Sequence, residues 1–449
     1  MQKCAYNNYK LLKIKLTYLF LLASLVSQAQ LFKGLGFRAD AYIGVMYSDT
    51  VDNRLYVGGE FKKLNGKTVD QVVYYDGIKW NSLDLKWKGG SIRTMTRFKG
   101  DIYFGGNYGI NRWNGFKLDT LGKGANGYVG GLLNFNDSLL FVVGNFTKVD
   151  DTLPALGIAT WNGNRWDTLP VNVPKVGSTN DFASIAYYKG EFYFGGNFMG
   201  KYGNDIIRFS GTEWKDVGGG LKGDSWVRDF EIYNGELYVA GEFKQLTGNP
   251  SDHVIRWDGT NWKPVGGGVN YQAWDLIKFK DNLFVCGAFD EAGGIDANVI
   301  AKWEGKEWCG YRNDFVNTVS DLAVYNDSLV VANGYFGPPS KDQVNILTDI
   351  HQTNRCGVID GFSEIDVSDF KIYPNPVLAE LVIEGSGTPQ ETDYKLINMQ
   401  GQVLRSGNFL QLKFTINIEE LVPGIYFLEL VTNNNNNNNN RITKKIVKQ

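Results

Sequence analysis

Three stretches of the chain put an acidic residue at the same place in a strand-like alternation. WVRDFEIY, AWDLIKF and VSDLAVY carry Asp229, Asp275 and Asp321 at one equivalent position, where four earlier copies of the pattern carry Gly44, Thr94, Gly131 and Ser184. Carboxylates brought together from three strands can hold a hard cation such as calcium, which takes oxygen ligands. The same groups can instead accept hydrogen bonds from neighbouring backbone, the common fate of a buried acid. A third chemistry, glycoside hydrolysis, needs only two carboxylates at a set separation, and the sequence singles out no pair among its 48 acidic residues.

Little else in the chain is equipped for catalysis. Only two histidines occur, His253 and His351, so imidazole bases and histidine-rich metal sites are scarce. No nucleophile elbow, zinc-protease helix, P-loop or CxxC is present. The runs Gly218 to Gly220 and Gly266 to Gly268 follow strands without opening a helix, so they do not cradle phosphate. Lys and Arg number 46 against 48 Asp and Glu, a net charge of -2, and nucleic acid is not an expected partner. No catalytic residue is assigned, and calcium is the one cofactor considered.

The elements that position these acids are strands. Glycine (54 residues) and aromatics (14%) are in excess, as in chains of many short strands and tight turns. LYVGGEF, IYFGGN, FVVGNF, FYFGGNF, LYVAGEF, FVCGAF and LVVANGYF are seven copies of one phrase. Their anchors Gly59, Gly106, Gly144, Gly196, Gly241, Gly287 and Asn333 are 47, 38, 52, 45, 46 and 46 residues apart. A period in the forties with turn signals predicts a β-propeller, four strands to a blade. The phrase IRWDGTNWKPVGGG and its five relatives are read as the hairpin between third and fourth strands, with Asp76-Gly77, Asn114-Gly115, Asn162-Gly163, Ser210-Gly211, Asp258-Gly259 and Glu304-Gly305 as two-residue turns. The flanking tryptophans, such as Trp257 with Trp262, are spaced to pack between blades.

The seventh copy lacks this hairpin. Residues 31–47 match 214–233 with Phe32 in place of Trp214 and Val45 in place of Phe230, so the N-terminal segment is expected to supply the outer strand of the last blade and lock the ring. Blade two is short of a loop, since Gly106 and Trp113 are seven residues apart where Gly287 and Trp303 are sixteen. These repeats resemble kelch-like and galactose-oxidase-like propellers in layout, without a strict kelch double glycine. They are also similar to the GG-x-F and W-D-G-x-x-W repeats of exported bacterial proteins. The resemblance covers Leu31 to about Ile350 and implies fold only.

Both ends carry addresses. Lys3, Lys10, Lys13 and Lys15, the 11-residue apolar run Leu16 to Val26 and Ser27-Gln28-Ala29 form an export signal too short to span a bilayer, leaving no transmembrane segment in the mature chain. Cleavage leaves Cys286, Cys309 and Cys356, with Cys309–Cys356 a candidate staple and buried free thiols the alternative. From Phe370 the chain resembles the type A sorting domain of the Bacteroidota type IX secretion system. The elements that carry this are Tyr373-Pro374-Asn375-Pro376, Asn398-Met399-Gln400-Gly401, Leu421-x-Pro423-Gly424-x-Tyr426 and Lys444-Lys445-Ile446-Val447. Read alone, they predict a small antiparallel sandwich. Asn433 to Asn440 is a polar homopolymer expected as a hairpin loop. Six Asp-Ser/Thr-apolar triplets, at Asp49, Asp119, Asp137, Asp151, Asp167 and Asp327, resemble the O-glycosylation motif of such exported proteins; turn chemistry accounts for them equally.

The expected organisation is a signal peptide (1–29), a seven-bladed propeller (30–350), a linker (351–369) and a sorting domain (370–449). The resemblance implies passage through the periplasm and across the outer membrane by the type IX machinery, with release or surface attachment both open. The expected role is a non-catalytic binding or adhesion module for an extracellular glycan or protein. The alternatives are a propeller glycoside hydrolase and a structural surface-layer component.

Overall fold

A computed structural model describes residues 31–83, 90–174, 181–311, 315, 318–334, 342–348, 355–357, 370–385, 391–398, 402–432 and 440–448. The expected export signal, His351, Met399 to Gly401 and Asn433 to Asn439 lie outside the described residues. No helix among the described residues is long and apolar enough to cross a membrane.

Residues 31–357 form a seven-bladed β-propeller of antiparallel sheets. Blade five shows the plan: Trp226–Tyr233, Glu236–Glu242, Val254–Trp257 and Trp262–Pro264 pair in chain order. The first strands of the seven blades are Ile43–Asp49, Ile92–Phe98, Tyr128–Phe135, Asp181–Tyr188, Trp226–Tyr233, Ala273–Phe279 and Val319–Tyr325. Each touches the first strands of the blades on either side, and the seventh touches the first, so these strands surround a central channel.

The glycine phrase sits on each second strand for a steric reason. At Gly59, Gly106, Gly144, Gly196, Gly241 and Gly287 a Cβ would fall deep inside van der Waals contact with a carbonyl oxygen at the entry of the blade's own first strand, from its first residue or the one just before it. Only glycine admits that approach. The apolar neighbours fill the seams: Tyr238, Val254, Leu276, Leu283, Trp303 and Trp308 share one buried cluster between blades five and six.

The hairpins differ from expectation by one residue. Asp258 N–H donates to Asn261 O at 3.2 Å, which makes Gly259-Thr260 the two-residue turn, and only the glycine has positive φ (103°). Asp258 flanks the turn, and its Oδ1 accepts from the N–H groups of Thr260 and Asn261, both at 2.7 Å. Asp76, Asn114 and Asn162 do the same in their blades. The recurring Asp or Asn is therefore a side-chain cap on the turn and not one of its positive-φ residues. The second tryptophan of the phrase ties blades together. Nε1 of Trp80, Trp166, Trp214, Trp262 and Trp308 each donates to a carbonyl of the segment entering its own blade, at 2.7 to 3.0 Å.

Ring closure follows the sequence expectation. Phe32–Gly34 pairs with Val344–Leu347 as the outer strand of blade seven, with Phe32 buried against Phe315 at 4.6 Å between ring centroids. In blade two, Asp101–Gly106 joins Gly109–Trp113 through Asn107 and Tyr108 alone. One expected linker segment is not a linker. Arg355–Gly357 adds a fifth strand to blade six beside Trp308–Gly310, and Cys309 and Cys356, paired in register, form a disulfide. Strand pairing and the covalent bond together hold this segment on the sheet edge. Cys286 is buried and free.

The C-terminal unit is a β-sandwich. Phe370–Tyr373, Glu380–Gly385 and Lys413–Asn417 form one sheet. Val403–Phe409, Thr392–Asn398, Gly424–Thr432 and Asn440–Lys448 form the other, in that order. Leu381, Ile383, Leu396, Leu428, Leu430 and Ile446 lie in its buried core.

Candidate functional site at the channel mouth

The antiparallel meander sorts the connections onto two faces. The turns between first and second strands and the six hairpins lie on one, and the longer second-to-third loops and blade-to-blade crossings lie on the other. This loop face carries the small hairpins at Lys63–Leu64, Lys148–Val149 and Glu291–Ala292 and a 3-10 turn at Gln245–Thr247. It also exposes Tyr108 (71%) and Tyr271 (52%).

Every first strand enters from the loop face and bulges at once. The register slips between Ile43 and Val45, Ile92 and Thr94, Val129 and Gly131, Phe182 and Ser184, Val227 and Asp229, Ala273 and Asp275, and Val319 and Asp321. Bulges of this kind re-aim side chains at strand ends. They also correct the alignment of blade one: Val45, not Gly44, stands opposite Asp229, because Gly44 is the extra residue of its bulge and Arg228 that of blade five.

Asp229, Asp275 and Asp321 do occupy one equivalent position, just past the bulge. Asp229 accepts the N–H of Leu276 at 3.0 Å, Asp275 that of Leu322 at 2.7 Å and Asp321 that of Met46 at 2.5 Å. Each carboxylate thus spans the seam to the next blade. Burial pushes Asp229 up to about 6. Asp275 is raised well above the usual carboxylate range, by burial first and then by Asp321 and Asp229, and Asp321 is raised chiefly by burial. Glu231, two residues further along, is pushed to about 7 by burial and then by Asp229. Among the described residues no group of three His, Cys, Asp or Glu side chains is arranged to hold a metal ion. The three acids follow one another along successive seams, each facing a backbone donor, and the Asp229 and Asp275 side chains are also hydrogen-bonded to each other.

Above this layer, two residues before each bulge, lies a ring that sequence reading passed over: Tyr42, Ser91, Tyr128, Asp181, Trp226, Gln272 and Thr318. Burial raises the Tyr128 phenol, Arg93 and Arg228 pull it down, and Asp181 pushes it up. Arg228 belongs to blade five, two blades away. Two guanidiniums serve the ring. Arg93 lies over the Tyr42 ring (5.1 Å) and pairs with Glu60 at 2.9 Å. Arg228 lies over the Trp226 indole (3.9 Å) and pairs with Glu242. Gln272 Nε2 donates to the other Glu242 oxygen at 2.7 Å, and Trp274 Nε1 donates to Gln272 at 3.2 Å. Four ring members hold a buried polar atom without a hydrogen-bond partner: Ser91 Oγ, Asp181 Oδ1, Trp226 Nε1 and Thr318 Oγ1. An unmet buried donor or acceptor costs about 1–3 kcal/mol. The signal for this ring was present, since Glu60 and Glu242 recur in the phrases GGEF and AGEF, but naming the partners required the position of each bulge.

The sorting-motif residues gather at one end of the sandwich. Asn375 Oδ1 accepts the Val447 N–H, and Val377 N–H donates to Val447 O, both at 2.8 Å, so the Tyr373-Pro374-Asn375-Pro376 segment grips the last strand. Tyr373 Oη donates to Glu384 at 2.6 Å, and the Tyr426 hydroxyl donates to Val422 O at 2.7 Å, bracketing Pro423-Gly424. Lys444 and Lys445 stand on that strand opposite Leu428 and Phe427.

The fold and the C-terminal unit together define a propeller with a terminal sorting domain. Residues 371–449 match the family model described as the secretion system C-terminal sorting domain. The chain is accordingly directed by type IX secretion to the cell surface or the extracellular space. No curated protein matches it in sequence. Among solved structures it is similar to the extracellular domain of a protein assigned as a hybrid two-component system from B. thetaiotaomicron, at 11% identity and a TM-score of 0.46, over 93% of this chain and 57% of that one. It is similar to PorZ of Porphyromonas gingivalis, a surface component of the type IX secretion system, at 12% identity and a TM-score of 0.45, over 91% and 59%. The GH74 enzyme of Niastella koreensis shares 10% identity at a TM-score of 0.47, over 92% and 74%. The chain spans less than three fifths of the length of the first two, at 57% and 59%.

Proposed function

We propose that this chain is an exported, non-catalytic binding or adhesion module that meets its ligand on the loop face, around the channel mouth. The observation that carries the reading is the asymmetry of the two faces. One carries short hairpins, four of them capped by an Asp or Asn, while the other gathers the long connections and the half-buried aromatic and charged side chains around the channel. Aromatic faces combined with a few placed polar groups are the usual lining of a ligand site. The channel carboxylates are engaged by the next blade's backbone, a structural duty that favours binding over acid–base chemistry.

The test is a glycan array probed with the full chain, with reducing-sugar release measured on every glycan bound. Binding without turnover supports the module. Turnover would make the protein a glycoside hydrolase and direct attention to the raised acids Asp181 and Glu231. Silence on every glycan would move the search to protein partners or a surface-layer role.

A further inference from the structure

We propose that the channel mouth is a binding site for an uncharged saccharide chain, which inserts an end among Ser91, Asp181, Trp226 and Thr318. This deepens the binding-module reading and rests on it. The first support is the clustering of unmet groups. Four of the seven equivalent mouth positions hold a buried polar atom without a partner. Among the hairpin tryptophans, Nε1 of Trp214, Trp262 and Trp308 finds a carbonyl while Nε1 of Trp161, Trp257 and Trp303 is unmet, so what sets the mouth apart is that its four unmet groups share one equivalent position of the repeat. Ser91 is itself almost wholly buried, at 3% exposure.

The second support is the kind of group left over. The indole N–H only donates, Asp181 Oδ1 accepts when ionised, and the two hydroxyls do either. Sugar hydroxyls donate and accept, so they match a mixed set of single groups supplied by separate blades. A peptide strand would instead seek a row of alternating backbone groups. The half-buried rings of Trp226 and Tyr128 suit the C–H face of a pyranose, since aromatic side chains combine an apolar body with a polar edge.

Charge decides between neutral and anionic sugars. Among the described residues both mouth guanidiniums are paired, Arg93 with Glu60 and Arg228 with Glu242, and the Asp181 carboxyl interacts with Arg228, an arrangement that disfavours a uronate or sulfate. Arg228 also lies over the Trp226 indole at 3.9 Å and holds its orientation.

The experiment is isothermal titration of the full chain with cello-, xylo-, manno-, laminari-, malto- and chitohexaose, and with a galacturonate oligomer as the anionic probe. At least one neutral hexasaccharide is expected to bind. Trp226→Ala should weaken it at least tenfold. Trp226→Phe, which keeps a ring and removes the N–H, and Asp181→Asn should each weaken it about three- to tenfold while the unfolding temperature stays near that of the parent. Binding that is indifferent to Trp226→Phe and Asp181→Asn would overturn the mouth site and leave the module reading intact. Binding of the galacturonate alone would overturn the ligand class. No binding of any probe at millimolar concentration would overturn the proposal, and the array experiment above then tests the module separately.

Discussion

The Asp321 carboxylate accepts the backbone N–H of Met46 at 2.5 Å, across 275 residues of chain. It joins the last blade to the first from the inside, while the Phe32–Gly34 strand joins them from the outside. Asp321→Asn keeps an acceptor and removes a charge crowded by Asp275 and Asp229. It should leave the urea midpoint at pH 7.5 unchanged or raise it. Asp321→Leu leaves the Met46 N–H unmet and should cost about 1–3 kcal/mol. Equal damage from both variants would show that the charge, not the acceptor, matters.

Two sets of acids pull the pH dependence in opposite directions. Asp229 and Asp205 are raised by burial from 3.8 to about 6. The native state therefore binds protons first in that window, and stability grows as pH falls from about 6 toward 4. Asp76 and Asp258, held down to about 2 chiefly by the backbone N–H groups of their turns, act the other way. Their contribution is present above 3.8 and is lost as pH falls through about 2. Thermal unfolding should thus show its highest midpoint between about pH 4 and 6. A midpoint that climbs steadily from pH 4 to 8 would contradict this assignment.

The outer strand of blade seven is a single short segment anchored by Phe32, so its loss should be disproportionate. Phe32→Ala should destabilise the propeller by about 3–5 kcal/mol, the range for a buried aromatic. Hydrogen exchange should rise first in Val344–Leu347, whose partner strand is loosened.

The disulfide closes a separation of 47 residues, for which loop-closure entropy gives about 4 kcal/mol. Cys356→Ser should lower stability by up to that amount and release the fifth strand of blade six. Cys286, buried and free, should react with a thiol reagent only on unfolding. Rapid labelling in the native protein would argue against its placement.

In the sorting domain, Asn375→Ala removes the acceptor that holds Val447. Faster exchange of the Val447 amide and a smaller fraction of the protein outside the cell are the expected results. Normal exchange together with normal export would show that the grip is dispensable.

What the sequence determined by itself was everything that repeats. A steric need shared by six blades writes the same glycine beside the same carbonyl, and the turns and seam tryptophans recur with it, so blade count and the mixed closing blade could be read from spacing, while the sorting domain was legible through its resemblance to a known family. Local detail was already less secure: the hairpin aspartates are caps and not turn residues, a difference of one position that composition does not reveal. Tertiary structure alone decided the site. Each first strand bulges by one residue, which moves Val45 into the place assigned to Gly44 and sets Asp229, Asp275 and Asp321 against backbone donors of the next blade. The mouth ring draws single, unlike residues from seven blades, with Arg228 and Tyr128 two blades apart. No periodicity records such a ring, because its chemistry comes from the differences between repeats and its geometry from their closure in space.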